Sequence, residues 1–120
     1  MKTSKAQFKI FEKETRKLLK LHGLVGYEKY IEHKDIDNTT ISTAIVDLVA
    51  CYLIITLNKD TPYKLSTEMV EDSAYHEVLE VFFWKLESLI PEHFKEEGRA
   101  EIHKIIQTLI NIRRVRIWKT

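Results

Sequence analysis

Cys51-Tyr52-Leu53-Ile54-Ile55-Thr56-Leu57 carries no charge and is almost wholly apolar, and Asn58-Lys59-Asp60-Thr61-Pro62 supplies a turn directly after it. A short β-branched run of this kind reads as an interior strand covered on both faces, and such a strand needs neighbours and a helical layer to bury it. The neighbours are at hand. Tyr27 to His33 and Ile41 to Val46 show the same bias toward β-branched and aromatic residues, with turns at Asp35-Ile36-Asp37-Asn38 and Asp47-Leu48. Three short strands between Tyr27 and Leu57 are the economical reading.

Outside this stretch the hydrophobic period becomes helical. Phe8, Phe11, Leu18, Leu19 and Leu21 recur among Lys, Glu and Arg, which predicts an amphipathic helix over about residues 4–22, ended by Gly23 and Gly26. Ser66 or Thr67, followed by Glu68, Glu71 and Asp72, marks the start of a second helix, expected to run to about Ile90, before Pro91. Ile102, Ile105, Ile106, Leu109 and Ile110 fall on one stripe and predict a third, from about Glu96 to Ile112. The order helix, three strands, helix, helix belongs to the α+β class. No Pro-, Gly- or Ser-rich linker divides the chain, so residues 1–120 read as one domain.

Nineteen basic residues against eighteen acidic ones leave a net charge of +1, which excludes a whole-protein field that would gather nucleic acid or anionic membrane. Cys51 is the sole cysteine, so no internal disulfide forms, and its place in the apolar run predicts a buried thiol. The lysine-rich start lacks the apolar segment of a signal peptide, and no later apolar run reaches membrane-spanning length. The expected compartment is a reducing cytoplasm, with no membrane partner.

Chemistry concentrates in His76-Glu77-Val78-Leu79-Glu80. Residues four apart on a helix share a face, so one ion can touch both His76 and Glu80, while Glu77 points roughly a quarter-turn aside. The pattern is a variant of the zinc-hydrolase helix motif, in which two ligands come from successive turns and the Glu after the first acts as general base on the attacking water. The usual second His is Glu80 here, and a carboxylate can also ligate zinc. Apolar residues crowd Glu80 on the helix, and a carboxylate in that setting requires a metal, a cation or a proton. His103, at the edge of the apolar stripe of the last helix, is the expected third ligand, and Glu101 is the alternative.

The chain also resembles small phage and prophage proteins described as metallopeptidases, distant from the SprT-like zincins. The resemblance spans nearly the whole chain. It rests on Gln7-Phe8 with Phe11, Gly23-Leu24, Leu57-Asn58, Ala74 to Glu80, and Glu101-Ile102-His103-Lys104-Ile105-Ile106-Gln107-Thr108-Leu109. It implies a zincin-like fold, Zn²⁺ as cofactor, a peptide or protein substrate, and a bacterial host cytoplasm. The chain departs from the family pattern at Gln107, where an Arg is usual, and at Ile110 before Asn111, where a Glu is usual.

Three other readings are weighed against this one. His76-Glu77-x-x-Glu80 alone is short enough to arise by chance, as surface carboxylates beside a core His. The scaffold without catalysis would be a phage protein that binds a host factor, and Glu77→Gln would then be harmless. Arg113, Arg114 and Arg116, interleaved with Val115, Ile117 and Trp118, could meet nucleic-acid phosphates, although cations at a helix C-terminus are favoured by the dipole alone and read first as a solvated end. His22, His33 and His93 are expected to face solvent, Tyr75 to be a buried aromatic, and the Val46 to Leu57 stretch to offer an edge to an extended substrate only if it is not interior.

Overall fold

The computed structural model describes the backbone of residues 1–119 and the side-chain surroundings of residues 1–115. Helix α1 (Lys5–Leu21) begins at Ser4, whose hydroxyl accepts from the Gln7 N–H while the Gln7 side chain accepts from the Ser4 N–H. This reciprocal cap satisfies two backbone donors that a helix start otherwise leaves unpaired. The strands follow as β1 (Glu28–Lys34), β2 (Ser42–Asp47) and β3 (Tyr52–Asn58). Then come α2 (Thr67–Ser88), a 3-10 turn at Glu92–Phe94, and α3 (Lys95–Lys119). The architecture is α+β, as the periodicities predict. Among the described residues no helix is long and apolar enough to cross a membrane.

The sheet order is β1-β3-β2, with β3 parallel to β1 and antiparallel to β2. The apolar run is therefore the interior strand, as expected, and β2 is an edge. Cys51 departs from expectation: it is exposed, outside β3, in the turn between β2 and β3 with φ 56°. The Asp47 carboxylate accepts from the Val49 and Ala50 N–H groups and closes that turn, which pulls Cys51 out of the strand.

One core joins α1, the sheet and α2 through Phe11, Leu18, Leu19, Leu53, Ile55, Leu57, Val70, Ala74, Val78 and Val81. The α2 contributors fall at intervals of three and four and form one stripe facing the sheet. A smaller cluster, Leu79 with Ile102, Ile106 and Ile110, seats α3 on a second face of α2. Ile105, expected in that stripe, lies on its outer rim and is exposed. The 3-10 turn brings the chain back so sharply that a Cβ on Gly98 would meet Ile90 Cδ1 at 2.5 Å.

Candidate metal centre

The two buried faces of α2 decide where its polar side chains go. His76 and Glu80 lie beside Leu79 on the face toward α3. Glu77, about 100° around the helix from His76, falls on the stripe toward the sheet. On α3, His103 follows Ile102 by the same angle and occupies the rim of the apolar stripe nearest α2. Three ligand atoms, one each from His76, Glu80 and His103, lie within 4.8 Å of one another. His76 Nε2 is 3.3 Å from Glu80 Oε1, and His103 Nε2 is 3.5 Å from the same oxygen.

Zinc binds nitrogen and carboxylate oxygen at about 2.0–2.2 Å, so tetrahedral ligand atoms stand roughly 3.3–3.5 Å apart. Two of the three separations already have that value. The donor set of two imidazoles and one carboxylate is also one that zinc accepts, so the residues fit the ion. Glu101, the alternative third ligand, is exposed and pairs with Lys104 at 3.0 Å, outside the cluster.

The electrostatics follow from these contacts. The His76 imidazole holds the Glu80 carboxyl below its usual range, and Glu80 in turn raises His76. Glu77 is only 5% exposed, and burial pushes its carboxyl up. Its one protein donor among the described residues is the Ser42 hydroxyl, at 2.5 Å from Oε2. That contact opposes the rise, because a donor favours the charged form.

Ser42 opens β2, and Asn58 fixes the loop before it. The Asn58 side chain donates to the Asp37 and Thr40 carbonyls and accepts from the Ile36 N–H, and its backbone N–H donates to Ile41 O at 2.9 Å. A buried amide thus sets the register of the loop that delivers Ser42 to Glu77. Of the residues expected from the sequence, the structure brings His76, Glu80 and His103 into one cluster and sets Glu77 on the neighbouring face; the sequence does not point to Ser42 or Asn58. Helical spacing says nothing about a strand arriving from elsewhere; the sole signal was an Asn closing an apolar strand.

A cleft of about 400 Å³ runs along this wall, lined by Thr39, Ile41, Ser42, His76, Glu77 and Gln107 among others. Tyr75 does not border it. Tyr75 packs beneath Arg113, whose guanidinium carbon is 5.1 Å from the ring centroid. Arg113 pairs with Glu14 of α1, and Arg114 pairs with Asp72 and Glu68 of α2, so these two cations are engaged within the protein instead of ending a solvated helix. The side chains of Arg116 and Trp118 lie outside the described residues. Of the remaining histidines, His33 stacks on Phe8 and bonds Thr3, while His22 packs against Tyr75 and Phe82. Comparison with family models, curated proteins and solved structures finds no match.

Proposed function

We propose that this chain is a zinc-dependent peptidase of zincin-like architecture, of phage or prophage type, in which His76, Glu80 and His103 hold the ion and Glu77 is the general base. The supporting observation is the convergence of two imidazoles from separate helices on one carboxylate oxygen, at 3.3 and 3.5 Å, beside a second, buried carboxylate. When bound, zinc supplies a Lewis acid that polarises a peptide carbonyl and acidifies water. Glu77 takes the proton from the attacking water and passes it to the departing amine. Its burial favours the neutral form it adopts between those transfers. Ser42 holds Oε2, which leaves Oε1 for the proton.

β3 is interior and both β1 and β2 are edges, so the edge offered to an extended substrate at the cleft is β2, whose Ser42 lines it. A peptide adding to that edge would run beside Ile41 and Ser42 into the cleft that Glu77 lines. Backbone pairing of this kind is tolerant of side chain, so the reading specifies a peptide main chain rather than a sequence.

The test is zinc content and chelator sensitivity of tag-free protein, followed by hydrolysis of an unfolded protein such as casein. Wild type is expected to hold one zinc, His76→Ala, Glu80→Ala and His103→Ala to lose it, and Glu77→Gln to keep it while hydrolysis falls by about 10²-fold or more. A folded protein that takes up no zinc and melts identically with and without chelator would overturn the reading.

A further inference from the structure

Helices α2 and α3 pack through Leu79, Ile102, Ile106 and Ile110, and polar depressions open along the seam on either side of the metal triad. One is the cleft already described, bordered on α2 by Asp72, Ser73, His76 and Glu77. The other, of about 440 Å³, is bordered by Glu80, Trp84, Glu87 and Ser88 of α2 and by Lys95, Arg99 and His103. With a rise of 1.5 Å per residue, their centres stand roughly 15 Å apart along α2, the span of about four or five residues of extended peptide. The triad lies between them.

Their charges differ. In the first depression Arg114 is met by both Asp72 and Glu68, which leaves no surplus of positive charge. In the second, Arg99 Nε donates to Glu87 at 2.6 Å, and the terminal nitrogens of Arg99 have no partner among the described residues. Lys95 Nζ donates to the Glu87 carbonyl at 3.1 Å, and no carboxylate among the described residues lies within ion-pair distance of it. Glu80 faces the two imidazoles. Glu80 also borders this depression, and its carboxyl is held down in part by Arg99, so Lys95 and Arg99 face Glu87 and Glu80 together. What sets the depression apart is its unused donors, and a planar guanidinium with free terminal nitrogens is the group that best matches a carboxylate fork.

We propose that this second depression is a carboxylate-recognising subsite, in which Lys95 and Arg99 take a carboxylate of the peptide whose main chain crosses the triad; it rests on the peptidase reading above. The carboxylate belongs either to the free C-terminus of the substrate or to an Asp or Glu side chain. In both cases the subsite places the scissile carbonyl a short, fixed distance from the anion, so the enzyme selects by charge on one side of the bond and by main chain on the other.

The test uses the zinc-loaded 120-residue chain and three small probes: N-acetylalanine, its amide, and N-acetylglutamic acid α-amide. Binding is followed by NMR through the Trp84 indole N–H and the amides of residues 87–103. N-acetylalanine is expected to shift these signals and its amide to bind at least tenfold more weakly. The glutamic acid derivative separates the two sources: binding like N-acetylalanine assigns the site to acidic side chains as well, and weak binding assigns it to the C-terminus. Lys95→Met with Arg99→Gln should abolish the preference while zinc content and melting stay unchanged. Carboxylate binding that survives this double substitution would place the anion on the metal and overturn the proposal, as would equal binding of acid and amide. Protein that takes up no zinc yet keeps the Lys95- and Arg99-dependent preference would overturn the metal reading and leave the subsite standing.

Discussion

Glu77 is the one carboxylate on the sheet-facing stripe of α2, and its position gives it two opposed effects. Burial raises its pKa, so the folded chain holds that proton more tightly than the unfolded chain does. The sign follows by linkage: the contribution to stability is full below the usual carboxylate range and is lost as pH rises through the raised value. Gln cannot ionise. Metal-free Glu77→Gln protein should therefore melt above metal-free wild type at about pH 8 and converge with it near about pH 4, where wild-type Glu77 is protonated. Thermal scans at the two pH values check this, and a gap that is the same at both would count against burial as the cause. The carboxylate whose ionisation costs stability is thus the one the proposed chemistry uses. His76, Glu77, Glu80 and His103 were legible in the sequence because helical spacing carries their relation to the apolar stripes. Ser42 was not, since its contact with Glu77 depends on how far β2 slides along the sheet and on the loop tied down by Asn58.

At the scale of elements, the strands and helices stand within a few residues of where periodicity put them, apart from the longer α3, because β-branched runs and three-and-four spacing are local signals. Order within the sheet is not local. The chain crosses from β1 to β2 over the position that β3 then fills between them, and only the structure shows that β2 is the edge beside the cleft. Cys51 shows the same limit at a boundary: its apolar neighbours placed it in the strand, whereas Asp47 caps the turn and leaves Cys51 exposed at φ 56°. A β-carbon in the left-handed region is strained by about 1–2 kcal/mol, partly offset by the extra freedom that Gly gives the unfolded chain. Cys51→Gly should accordingly raise unfolding free energy by about 0.5–1 kcal/mol in a urea titration, with no change in metal content. A loss of stability would show that the thiol, which points to Leu48 O, contributes more than the backbone relaxes.

Across the whole molecule, α3 is held by fewer buried side chains than the rest, and the Arg113–Glu14 pair adds a tie to α1 over ninety-nine residues of sequence. The sequence reads Arg113 and Arg114 first as part of a solvated end, because the acids that meet them sit on helices far away in the chain. Glu14 is 8% exposed, so Arg113→Met would strand a buried carboxylate and should cost about 3 kcal/mol, largely recovered when Glu14→Met is added. Chemical denaturation of the single and double variants checks the coupling. Two of the three proposed ligands ride on α2, which the main core grips, and the third rides on α3, which the small cluster grips. The ion would then close a hinge between two separately anchored bodies, and its apparent affinity would scale with the fraction of time the hinge is already shut. Ile106→Ala, which removes no donor atom from a fully buried position, should weaken zinc binding by the same factor by which it loosens α3, read as faster amide exchange in residues 95–115. Sequence drift in an ordinary packing residue would on this account retune metal occupancy without touching a ligand, and zinc supply would set how much of the population is assembled at any moment.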